Sequence, residues 1–335
     1  MLKTGTVNIF QYLKKALQKM WRGVSHLAVS WPKAFAGVIV LLLVLYYPLG
    51  GSLMEKIDKN TAYEATVVSE DQSAAVETMA FLINREVNDH IWSANLPLFF
   101  PSYFLDNMPA YQNGIVSALS KTASVIAKET ECTDDDRAKN AATAAAELLK
   151  YPGNVWLFAA DNKLKIAPSS ASQYRKARKQ LRDFNRLLPG SECRWEKSAA
   201  NLRCFVTAVQ KDLQRSVGRL EVQVAEHSSD WVDTGADDLF YFNQGKAYAY
   251  LMIMKAWGRD FKQVLLDSGQ YENWTRVMRA LENGVDLSPA VVRNGELDSG
   301  FAANHLVSLG YYMLRAASLL DKIGDATKGV TVNAN

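Results

Sequence analysis

Glu86 and His90 stand four residues apart with Asp89 between them, so on a helix the carboxylate and the imidazole share one face. Such a pair supplies two metal ligands, or an acid and a base. It is a common chance arrangement, however; the H-E-x-x-H pattern is absent and no third ligand stands at a useful spacing. Asp106, in a segment crowded with aromatic residues, is the one carboxylate suggestive of glycan hydrolysis, a reaction that needs two across a cleft. Lys246 interrupts a stretch, 239–257, that is apolar on nearly every face, and a buried ammonium needs a carboxylate or it loses its charge. A paired structural lysine is the preferred reading, a functional amine the alternative. Nucleophile elbows, Walker loops and G-x-G-x-x-G turns are missing, so no cofactor is expected and the balance leans away from an enzyme.

The elements that must position these residues are helices. Ser69 with Gln72 forms a capping-box signature, followed by Val76, Met79, Ile83, Val87 and Ile91 at helical spacing, which places Glu86 and His90 on a long amphipathic helix. Residues 95–109, NLPLFFPSYFLDNMP, break it with three prolines and gather Phe99, Phe100, Tyr103 and Phe104 into an irregular segment suited to contacting a partner or a lipid surface. Further helices are predicted at about 110–130, 135–151, 172–188, 199–227, 237–257, 259–267, 271–283 and 301–323, the last two ending at Gly284 and Gly324 in left-handed caps. A small hairpin around Asp161-Asn162 is predicted within 155–166. The exported part is thus mainly α, a helical bundle with one β-hairpin at most. His305 and Arg315, expected inside the last apolar helix, argue against a second membrane span there.

One such span is written plainly. Residues 34–54, AFAGVIVLLLVLYYPLGGSLM, carry no charge, and their rise of about 1.5 Å per residue matches the roughly 30 Å hydrocarbon layer. All six basic residues before them (Lys3, Lys14, Lys15, Lys19, Arg22, Lys33) lie on one flank with no acid, which keeps that flank in the cytoplasm. Ahead of the span, Phe10, Leu13, Leu17, Met20, Trp21, Val24, Leu27 and Trp31 fall at helical spacing opposite Lys14, Lys15, Lys19 and Arg22, the pattern of a helix lying on anionic lipid. A cytoplasmic partner is the alternative for that helix. A cleaved signal peptide is disfavoured by the long leading stretch; the one small-residue pair at cleavage spacing is Gly50 with Ser52. The resulting division is a cytoplasmic amphipathic helix (1–33), the transmembrane helix (34–54), a connector (55–68), a periplasmic helical domain (69–325) and a flexible tail (326–335).

Charge narrows the partners. Six of the chain's 38 Lys and Arg precede the span, which leaves 32 against 35 Asp and Glu beyond it, so the exported part is slightly acidic and nucleic acid is an unsuitable ligand. Its one basic run, Arg175, Lys176, Arg178, Lys179, Arg182 and Arg186, reads by default as a solvated helix face, with anionic headgroups or an acidic partner as the alternative. Of three cysteines, Cys193 and Cys204 close a short loop and are the expected disulfide in an oxidising compartment; two reduced core cysteines are the alternative.

The segments WSANLPLFFPSYFLDNMPAYQNG (92–114), ADDLFYFNQGKAYAYLMIMKA (236–256) and VVRNGELDSGFAANHLVSLGYYMLRA (291–316) resemble an uncharacterised family of single-pass proteobacterial envelope proteins known only as a domain of unknown function. The resemblance implies an inner-membrane setting and no reaction type. The reading reached is a membrane-tethered periplasmic interaction or scaffold protein, with membrane lipid and another envelope protein as partners and its oligomeric state open. Its rival is an envelope enzyme acting on cell wall or lipid through Glu86, His90 and Asp106, with Lys246 as a further candidate. A sensor or chaperone relaying through a second membrane protein is a third possibility.

Overall fold

The computed structural model describes residues 11–22, 32–54, 56–97, 99–101, 106–156, 158–159, 162–227, 234–289, 291–294 and 304–329. Tyr103 and Phe104, and Phe10, Val24, Leu27 and Trp31 of the leader, lie outside them. The chain divides into two compact units, residues 1–54 with 99–104, and residues 55–98 with 105–335.

In the first unit, helix α1 (11–22) carries Lys14, Lys15, Lys19 and Arg22, and its apolar Leu13, Leu17, Met20 and Trp21 are all exposed. Helix α2 (Pro32–Val44) runs through a π turn, Leu45–Leu49, into α3 (Gly50–Met54). Pro48 has no N–H to give the ladder, and the Gly50 N–H is shared between the carbonyls of Tyr46 and Tyr47, so the widened turn sits where proline demands it. The run Pro32–Leu53 is long and apolar enough to cross a membrane, and its most apolar stretch is almost wholly uncovered by protein. Phe99–Pro101 pack on this helix: the Tyr46 hydroxyl donates to the Phe99 carbonyl at 2.7 Å, and a Cβ on Gly50 would lie 2.8 Å from Pro101 Cβ. Only a residue without a side chain permits that approach.

The second unit is a helical bundle of α4 (Ala74–Asn84), α5 (Asn107–Glu129), α6 (Arg137–Leu149), α7 (Ser170–Leu187), α8 (Ala199–His227), α9 (Thr234–Asp260), α10 (Lys262–Asp267), α11 (Tyr271–Asp286) and α12 (His305–Ala326). The stretch predicted to be apolar all round becomes the centre: α9 is buried continuously over 243–254 and packs against α4, α5 and α11. Around it, α6 lies between α5 and α7, and α12 lies against α8 and α11. Helices α5 and α9 approach backbone to backbone, since a methyl at Gly114 would collide with the Phe242 carbonyl and one at Gly245 with the Tyr111 carbonyl. Residues 56–66, within the predicted connector 55–68, form neither helix nor strand, and they are held within this unit by hydrogen bonds from Tyr248 to the Asn60 carbonyl and from Lys59 Nζ to the Leu287 carbonyl.

Several expectations are corrected. Helix α4 starts after Ser73, not Ser69: Gln72 Oε1 accepts from the amides of Val68 and Ser69 in a preceding turn, while Ser73 caps the Val76 amide and the Asp260 carboxylate accepts from the amides of Ala74 and Ala75. Gly284 and Gly324 are not left-handed caps. Both lie inside helices; at Gly284 the missing side chain leaves room for Leu309, while at Gly324 a Cβ would meet Val206 only at ordinary contact distance, and among the described residues the left-handed glycines are Gly190 and Gly269. His305 opens α12 and accepts from the Arg293 amide, and Arg315 faces solvent. The hairpin forms from β2 (Phe158–Ala159) and β3 (Asn162–Ile166), antiparallel.

The disulfide joins Cys193 to Cys132, not to Cys204. Strand β1 (Glu131–Cys132) pairs antiparallel with β4 (Cys193–Arg194) in a register that sets the two cysteines directly opposite, Cα to Cα 4.0 Å, whereas Cys204 is carried into α8.

Candidate functional site

The α4 helix continues through a π turn, Arg85–Asp89, which turns Arg85, Glu86 and Val87 all inward. Glu86 is 1% exposed and accepts from Arg85 Nε at 2.7 Å, while Gln112 donates to its carboxylate and to its carbonyl. Arg85 donates in turn to the Tyr248 hydroxyl. His90 Nδ1 stands 3.7 Å from Glu86 Oε2. Burial works to raise the Glu86 carboxyl, but His90 and Arg85 outweigh it and hold it below the ordinary carboxylate range. Helical spacing does bring Glu86 and His90 together, yet the carboxylate is enclosed by an arginine, and its geometry is that of a buried ion pair tying α4 to α5 and α9.

Lys246 finds its carboxylate. Its ammonium lies 3.0 Å from Asp212 Oδ2 on α8 and donates to Ser216 Oγ at 3.1 Å. Burial holds the Lys246 pKa below its usual value despite Asp212; Asp212, against its own burial, is held below the carboxylate range by Lys246, Arg215 and Tyr250.

Asp106, standing just ahead of α5, opens on a cleft of about 970 Å³ in the second unit, lined also by Asn113, Ser117, Tyr151, Arg219 and Asp238. Asp237 and Asp238 stand near the start of α9, and both carboxyls are raised, by burial first and then by the charge of Asp106; Asp237 reaches about 6. Asp106 thus gains acidic neighbours, from residues 131 and 132 positions away which the sequence shows only as ordinary acids at a helix start. Among the described residues no group of three or more His, Cys, Asp or Glu is placed to hold a metal ion.

Of the aromatic contact candidates, Phe99 is 60% exposed and its ring stands 5.1 Å from that of Phe100, which is half-buried.

A family model described as "Uncharacterized protein conserved in bacteria (DUF2333)" matches residues 92–236 and 219–324. No curated protein and no solved structure matches the chain.

Proposed function

The chain belongs to this bacterial family, and on that premise we propose that it is a membrane-tethered interaction or scaffold protein of the envelope, held in the inner membrane by Pro32–Leu53 with its helical bundle in the periplasm. The basic flank of the span supports that orientation. One observation carries the reading: the aromatic segment returns to the apolar helix through Tyr46 and Phe99, and through Gly50 and Pro101. Tyr46 lies eight residues before Met54, which puts the contact about 12 Å inside the exported end of the span. The exposed Phe99 ring then faces the outer half of the lipid.

A photo-crosslinking phenylalanine analogue at Phe99 in living cells is expected to give lipid adducts, which Gly50→Val should suppress by displacing Pro101. No adduct to lipid or protein from either Phe99 or Phe100 would refute the contact. A reporter active only after export, fused at Asn335, is expected to be active.

The enzyme reading keeps one supporting observation, the cleft holding Asp106 and Asp238, and it moves there from Glu86 and His90. It requires Asp106→Asn and Asp238→Asn each to alter the cell-wall fragments or lipids of the strain without lowering the melting temperature.

A further inference from the structure

The basic run of α7 is a stripe. Arg175, Arg178, Lys179, Arg182 and Arg186 recur at intervals of three and four, on one side of a helix whose opposite side, Tyr174, Ala177, Leu181 and Phe184, is buried. Over the eleven steps from Arg175 to Arg186 the stripe is about 16 Å long. It forms one wall of a groove of about 640 Å³, closed on the other side by Thr66, Val68 and Gln72, in which Glu77 and Asp183 are the only acids. Five cations against two carboxylates leave a local surplus in a part of the chain that is otherwise slightly acidic.

How the cations are held separates this groove from an ordinary solvated face. Arg175 donates to Asn88 Oδ1 at 2.8 Å and to the Val87 carbonyl at 3.1 Å, and Arg178 donates to Asn84 Oδ1 at 2.6 Å. These partners are neutral: they fix the guanidinium groups in place and leave the charge uncompensated. Arg182 reaches Glu77 only at 3.6 Å, Arg186 is paired with Asp183, and among the described residues no carboxylate is paired with Arg175, Arg178 or Lys179. All five remain reachable from solvent. Positioned, uncompensated guanidinium groups suit tetrahedral oxyanions, which accept several charge-assisted hydrogen bonds at once.

We propose that this groove binds the phosphate groups of a ligand that carries more than one of them, with Arg175 and Arg178 as fixed donors and Lys179 and Arg182 closing from the open side. The length of the stripe calls for at least two anionic groups. Phospholipid headgroups and soluble phosphate compounds share this chemistry.

The full chain, purified in non-ionic detergent, is titrated with tripolyphosphate in one arm and with cardiolipin mixed into the micelles in the other. Each titration is repeated with Arg178→Gln/Lys179→Gln/Arg182→Gln and with a charge-matched control, Lys128→Gln/Arg276→Gln/Lys328→Gln. At least tenfold weaker binding of one or both ligands by the groove variant, with the control unchanged, is the expected result. Loss confined to tripolyphosphate assigns a soluble ligand, and loss confined to cardiolipin assigns a headgroup. No binding of either ligand by the wild-type chain, or equal weakening in both variants, overturns the proposal. Should the triple variant fail to fold, Lys179→Gln/Arg182→Gln decides by the same comparison, because it leaves the bonds to Asn84, Asn88 and Val87 intact.

Discussion

Lys246 Nζ lies 3.0 Å from Asp212 Oδ2, joining the central helix α9 to α8 through two largely buried side chains. The pair is unevenly supported. Asp212 also accepts from Arg215 and from the Tyr250 hydroxyl, both at 2.9 Å, whereas among the described residues Lys246 has only Ser216 and the face of Phe242 besides.

Breaking the pair from either side is expected to cost about 3–5 kcal/mol, since an uncompensated charge stays buried, and Asp212→Asn should cost more than Lys246→Met. Urea unfolding of the detergent-solubilised chain measures both. In Asp212→Asn the Lys246 pKa falls further below its unfolded value, so the folded state binds fewer protons and stability rises with pH between those two values, more steeply than in wild type. Equal costs with parallel pH profiles would mean that the lysine is solvated.

The Cys132–Cys193 bond should appear as a linked peptide pair on non-reducing digestion, with Cys204 free to alkylate after unfolding. With a sequence separation of 61, its chain-entropy contribution is about 4 kcal/mol, and Cys132→Ser should lower stability by that order while Cys204→Ser changes little. A Cys193–Cys204 peptide would restore the pairing expected from proximity along the chain.

That pairing shows where sequence reasoning stops. A short loop favours Cys193 with Cys204 on entropy alone, but the choice is made by the register of two-residue strands whose hydrogen bonds leave no periodic trace. The helices were legible to within a few residues because their apolar spacing spans several turns, and the burial of α9 was legible because it lacks a polar face. Lys246 announced that it needed a carboxylate. Which one it takes depends on how α8 lies beside α9. Gly284 and Gly324 look like helix ends because glycine often caps; both instead lie inside helices, and the close approach of Leu309 to Gly284 is visible only once α12 is in place beside α11. Asp237 and Asp238 likewise look like ordinary helix-start charges until Asp106 is brought close enough to repel them.

The Asp237 carboxyl, raised to about 6 from 3.8, fixes the sign of a last test. The folded chain holds this proton more tightly than the unfolded chain, so between about pH 4 and 6 the residue makes stability fall as pH rises, and the whole penalty persists at pH 7. Asp237→Asn removes it. The variant should melt a few degrees above wild type at pH 7, a modest effect because the side chain is half exposed, and should match wild type at pH 4, where the native carboxyl is already protonated. Asp106→Asn should shift the wild-type profile in the same direction, because it removes one of the charges that repels Asp237. Thermal melts of the three proteins at both pH values check this; a lower melting temperature for Asp237→Asn at pH 7 would show that the carboxylate has a stabilising partner and is not held under repulsion.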